Sequence, residues 1–110
     1  MRRSTWPNIT AEELVELLAR WAAAEGVRAV AVFDGQAPAV RVADPQVELV
    51  STGKESADDW IAREAAALRD RGARFRLVTS DRELRDRASP GAERTIGGGS
   101  FARTLLDLRG

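Results

Sequence analysis

At 110 residues the chain is sized for one domain, long enough to bury a single core but short for a full doubly wound α/β unit. Its 17 basic and 17 acidic side chains cancel, so net charge supplies no bulk attraction to nucleic acid or an anionic membrane, and any such attraction is local. With neither Cys nor His, the sequence excludes disulfides, thiolate metal sites, a cysteine nucleophile and a Ser-His-Asp triad, which leaves hydrolytic chemistry to carboxylates holding a metal.

Residues 1–9, MRRSTWPNI, read as an irregular lead-in, with Pro7 disfavouring helix just before it. Thr10 and Glu13 form a capping-box pattern, which predicts a helix from about Ala11. Its apolar face is Leu14, Leu17, Leu18 and Trp21, and Gly26 ends it. Val27 to Phe33 is apolar apart from Arg28, as in a parallel strand covered on both faces, and it stops at the turn pair Asp34-Gly35. Gln36 to Pro45 reads as loop, with Val40 to Val42 as a short extended stretch, and Gln46 to Ser51 as a second short strand.

Ser56 is placed to cap the next helix, with Asp59 in the box position and Ala57, Ile61, Ala65 and Leu68 on its inner stripe. Asp58 and Asp59 both fall in the first turn, where the helix dipole favours an acid by roughly 0.3–1 kcal/mol. Gly72 stops that helix, and Phe75 to Thr79 is a third strand. Asp81-Arg82-Glu83 opens a short helix that Pro90-Gly91 has ended. Ala92 to Ile96 is a last edge strand, Gly97 to Gly99 a flexible connection, and Ser100 the cap of a final helix whose Phe101, Leu105 and Leu108 face inward. The triple glycine lacks the Lys-Ser/Thr of a phosphate-binding P-loop.

Alternating helices and strands predict a parallel sheet with right-handed crossovers. In that geometry Asp34, Asp58 and Asp81 come from three places in the chain to one rim, where strands finish at their carboxyl ends. Three carboxylates about 5 Å apart would repel by about 3 kcal/mol per pair at an effective dielectric near 20, and a hard divalent cation offsets that. Oxygen-only ligands favour Mg²⁺ or Mn²⁺ over Zn²⁺.

VFDG at 32–35, SADDWI at 56–61, LVTSDRE at 77–83 and the closing GGGSFARTLLDL together resemble the YacP-like branch of the NYN domain proteins, which are PIN-like ribonucleases. The resemblance covers roughly residues 10–108 in order. It implies a three-layer PIN-like, Rossmann-like α/β fold with a mostly parallel sheet, in one domain over residues 1–110. It also implies a metal-dependent endoribonuclease that hydrolyses RNA phosphodiester bonds, with Mg²⁺ or Mn²⁺ held by the acids matching Asp34, Asp58 and Asp81. Asp59 matches the second acid of its motif, Glu83 sits where related domains place a further acid, and Thr79 and Ser80 match its hydroxyl pair.

Members of that family open with an apolar strand ending in an Asp-Gly-x-Asn-like turn, whose Asp is a principal metal ligand. MRRSTWPN stands in that place, and no apolar strand precedes the first helix. The chain thus reads as a shortened form of a longer sequence or as a variant without the strand. The acid cluster then lacks one member, and strands 27–33 and 75–80 keep unpaired edges unless they meet directly. The alternative function is a non-catalytic module of the same fold that binds RNA or a ribosomal partner.

For RNA contact, including ribosome-associated mRNA, the candidates are Lys54, Arg82, Arg85 and Arg87, which flank the acids. Every basic residue except Lys54 is Arg, which suits bidentate phosphate contact. Trp6 and Trp60 are candidates for stacking on bases, whereas Trp21 belongs to the core stripe. A homodimer through an open sheet edge is the expected route to self-association. No export signal and no run of about 18 apolar residues is present, so a cytoplasmic protein without a membrane span is expected, and the Asn8-Ile9-Thr10 sequon carries no weight.

Overall fold

A computed structural model describes residues 9–42 and 44–109. The predicted irregular lead-in, Trp6 with it, lies outside the described residues except for Ile9. Thr10 Oγ1 accepts a hydrogen bond from the Glu13 N–H at 3.0 Å, and helix α1 (Ala11–Glu25) follows. Only half of the predicted capping box forms, because the Glu13 carboxylate turns instead to Arg109 at 2.8 Å. Gly26 closes the helix with φ +67°, a left-handed conformation that costs a glycine nothing.

Strand β1 (Ala29–Phe33) pairs in parallel with β2 (Val47–Ser51), in a register that sets Ala29 beside Val47 and Phe33 beside Ser51. The connection between them contains no helix, and the short extended stretch expected at Val40–Val42 is not a strand. Val40 and Val42 pack on the core by side chain alone, so their apolar character belongs to a loop held against the body. Helix α2 (Ala57–Asp70) is capped by Ser56 as expected. Strand β3 (Arg76–Val78), helix α3 (Arg82–Ala88), strand β4 (Arg94–Ile96) and helix α4 (Gly98–Asp107) complete the order. Strands β3 and β4 also pair in parallel.

Two points differ from expectation. Helix α4 begins at Gly98 with Gly97 as its cap, so two of the three glycines and Ser100 lie inside the helix, where a flexible connection and a Ser cap were expected. The reason is close packing: the first turn of α4 rests against the loop after β3, where a Cβ built on Gly98 would meet Ser80 Oγ and require that hydroxyl to turn away. The second is the sheet, which is not continuous: among the described residues it is two separate two-stranded ladders, β1-β2 and β3-β4, so the strands expected at 27–33 and 75–80 do not meet, in keeping with the expectation for a chain without the first strand.

Helices α1 and α4 cover one face and α2 and α3 the other, giving three layers with parallel strands between them. The first face is packed by Val15, Leu17, Leu18, Val47, Phe101 and Leu105, with Trp21 set edge-on to Phe101 at 4.9 Å between ring centroids. The second is packed by Ala65, Leu77, Leu84 and Ala88. Alternation along β3 serves both faces: Leu77 joins the α2/α3 cluster, while Val78 packs on the other cluster and Arg76 reaches Glu25 of α1 at 2.8 Å.

Candidate functional site

The carboxyl ends of β1 and β3 open onto one cleft of about 610 Å³, lined among others by Val32, Asp34, Asp58, Thr79, Asp81 and Gly98. Asp34, Asp58 and Asp81 therefore share one rim. Each arrives by a different local device.

Asp34 follows β1 in a turn held by Thr52, whose hydroxyl accepts from the Gly35 N–H at 3.2 Å and donates to the Glu55 carbonyl at 2.5 Å. One Asp34 oxygen then accepts from the Ala57 N–H at 2.5 Å, so this side chain ties the end of β1 to the start of α2. Asp81 is the N-cap of α3, accepting from the Leu84 N–H at 3.0 Å, and its own N–H donates to Thr79 Oγ1 at 3.0 Å. Asp58, in the first turn of α2, accepts no hydrogen bond from another described residue. Burial pushes its carboxyl above the ordinary value, and the negative charges of Asp81 and Asp34, then of Glu83, add to that rise against the pull of Arg87.

Asp59, one residue on, points elsewhere. It pairs with Arg87 at 2.9 Å, and that hydrogen bond holds its carboxyl below the usual range. Arg87 is thereby engaged within the protein, as is Arg63, which pairs with Glu55. Lys54, Arg82 and Arg85 are exposed and form no ion pair with another described residue. Glu83 is exposed in the first turn of α3. Thr79 is buried and its hydroxyl is spent on Asp81, whereas Ser80 is exposed against Gly98. Trp60 is half-buried.

As donors, three carboxylates suit a hard cation, and both Asp34 and Asp81 keep a second oxygen clear of their backbone contacts. In spacing they fall short of a cage, since no group of three or more acidic side chains among the described residues is close enough to hold an ion. Sequence reasoning found the acids and missed two residues that place them. Thr52 gave no signal in a run of small polar residues. Gly98 was visible only as part of a glycine triplet, whose meaning depends on what the helix packs against.

An α/β domain with parallel strands, helices on both faces and acids gathered at the carboxyl ends belongs to the PIN-like class of folds. The family model of the YacP-like NYN domain matches residues 8–96, and the chain belongs to that family. The crystal structure of Rae1 (YacP) from Bacillus subtilis is similar in fold, with a TM-score of 0.69 and 23% sequence identity over 89% of this chain. The chain spans 59% of that protein's length. No curated protein sequence matches it. NYN domains are nuclease-related and RNA-binding as a family, and are generally dependent on divalent metal.

Proposed function

We propose that the chain is a ribonuclease-type domain that cleaves RNA phosphodiester bonds at the rim formed by Asp34, Asp58 and Asp81, with Mg²⁺ or Mn²⁺ as the metal. The observation that carries this reading is the meeting of three acids, distant in sequence, in one cleft of a chain of the NYN family. The raised carboxyl of Asp58 supports it: partial burial raises it first, and the negative charges of Asp81 and Asp34 add to that rise beyond what Arg87 offsets. A divalent cation bound there supplies charge neutralisation at a scissile phosphodiester. Asp58 is the rim acid that accepts no hydrogen bond from another described residue. Asp34 and Asp81 each offer one oxygen while the other keeps α2 and α3 in place. Asp59 and Glu83 stand at the margin, Asp59 releasing Arg87 if it joins. Lys54, Arg82 and Arg85 would hold the RNA backbone, with Ser80 at the mouth of the cleft.

Mn²⁺ titration of the melting temperature tests this. Expected is a rise at millimolar Mn²⁺ that Asp81→Asn removes, together with loss of RNA cleavage. An unchanged melting temperature in the wild type sinks the metal site.

The lack of a closed cage among the described residues favours a second reading, a non-catalytic module that binds RNA or a ribosomal partner. It predicts RNA retention that weakens steeply with salt and does not respond to Asp81→Asn. We propose a cytoplasmic location with either reading. Sedimentation tests pairing of two copies through an open sheet edge.

A further inference from the structure

Charge is unevenly placed around the rim. Beside the start of α2, Arg63 pairs with Glu55 and Arg87 with Asp59, and along α3 Arg82 and Arg85 alternate with Glu83 and Asp86. Helix α4 is different. Helices α1, α2 and α3 each carry acid in the first turn and α4 carries none. From Arg94 to Leu106 the sequence has no Asp or Glu, in a chain with 17 acidic residues.

Burial sets which side chains of α4 meet solvent. Phe101, Ala102 and Leu105 are buried, and Ser100, Arg103 and Thr104 are exposed at helical spacing. Arg103 forms no ion pair with another described residue, and its hydrogen bond, donated by Nη2 to Ser100 Oγ at 3.5 Å, is at the outer limit of such a contact. A phosphate oxygen replaces that acceptor at little loss. The same bond gives a direction: the guanidinium leans back over the first turn of α4, as long helical side chains do. That turn reaches the rim, because Gly98 lines the cleft and lies against Ser80, the residue before Asp81.

We propose, on the RNA reading above but independently of its metal, that Arg103 binds RNA phosphate and that the strand leaving the acid rim runs over the first two turns of α4. Carboxylates repel a strand that is charged at every phosphate, so the phosphates flanking the rim are best held where the surface has a cation and no acid. Along α2 a phosphate would have to draw Arg63 from Glu55 or Arg87 from Asp59, leaving a carboxylate unpaired beside the polyanion. Arg103 gives up no such partner, and its planar fork meets two phosphate oxygens at once.

The test is fluorescence anisotropy of a labelled single-stranded oligoribonucleotide on the 110-residue chain, in EDTA and over a range of salt. Arg103→Gln should weaken binding about threefold or more at low salt and reduce the slope of log affinity against log salt by about 0.7, one phosphate contact on a single strand. Arg103→Lys, which keeps the charge and loses the fork, should recover most of the affinity. Arg71→Gln is the charge-matched control: Arg71 is the exposed C-cap of α2, about 20 Å along that helix from Asp58, and its loss should change binding by less than about twofold. Equal losses from Arg103→Gln and Arg71→Gln would overturn the proposal, because total charge alone would then hold the RNA. Binding that is unchanged in Arg103→Gln removes the path over α4 and leaves the RNA reading standing. A wild type that binds no RNA removes both.

Discussion

The two faces of the domain are packed by different means. The α1/α4 side uses large side chains, with Leu17 and Leu105 almost completely enclosed beside Phe101. The α2/α3 side relies on Ala65 and Ala88 around Leu77 and Leu84, so helices approach the strands closely and bury less apolar area per residue. The acids divide in the same way. None of the rim acids belongs to α1 or α4, whereas Asp34 and Asp81 hold the starts of α2 and α3 by their side chains. One side is an anchor. The other carries the site, and its acids hold structure and gather negative charge at once.

The largest expected effect tests the anchor. Leu105→Ala should cost about 2–5 kcal/mol, a large share of the roughly 5–15 kcal/mol available to a domain, since it removes a side chain that is 1% exposed and leaves a cavity its neighbours cannot fill. Leu84→Ala falls on the side of small residues, where helices can settle inward, and should sit at the low end of that range. Urea denaturation of the two variants decides. Equal losses would mean the two clusters are one core and the contrast between anchor and site side is only one of residue size.

Next in size is the double duty of Asp81. Asp81→Ala should lose about 0.5–2 kcal/mol as the cap of α3 goes, whereas Asp81→Asn keeps a capping oxygen and should lose much less. Because Asn removes the charge and keeps the cap, it separates the two roles. A stable Asp81→Asn without metal response places the charge in the site, and an unstable one shows that α3 needs the carboxylate itself.

A smaller effect probes the seam where α4 meets the loop after β3. Gly98→Ala pushes a methyl towards Ser80 Oγ, a hydroxyl that can rotate away, so the loss should be under about 1 kcal/mol, with part of it offset by alanine's helix preference. The double variant with Ser80→Ala should recover most of it, and the coupling between the two changes reads their contact. Additive effects would mean that the two residues do not meet in solution.

Local signals read well in the sequence, and long-range placement did not. Thr10, Ser56 and Asp81 announce the helices they cap, Gly26 announces a stop, and apolar runs announce β1 and β3, because each depends on residues within a few positions. The shared rim of Asp34, Asp58 and Asp81 followed from the topology of parallel strands and from the family motif. That Asp59 turns to Arg87, 28 residues away, could not be read, since a doublet of acids at a helix start is symmetrical on paper and only packing decides which one faces the cleft. The start of α4 was misplaced for a related reason: glycine signals loop locally, and only the approach of Ser80 shows why a helix needs it.

The smallest expected effect isolates Asp58 from Asp59. The Asp58 carboxyl is raised in the folded chain, so folding holds its proton more tightly than the unfolded chain does, and its contribution to stability is greatest in acid and declines as pH rises from the unfolded value through the folded one. Asp59 and Glu55 have the opposite sign: their folded carboxyls are lowered by Arg87 and Arg63, so their contributions are present above the unfolded value and are lost as pH falls through the folded one. At neutral pH, Asp58→Asn should therefore raise the melting temperature by about 1–3 °C, a sub-kcal/mol effect in a partly solvated site, and Asp59→Asn should leave it level or lower it slightly. Melting curves of both variants across the acid range should show the gain from Asp58→Asn vanish once Asp58 is protonated in the wild type. A gain that persists unchanged in acid would come from something other than charge, and the crowding of negative charge at the rim would no longer explain why Asp58 differs from its neighbour.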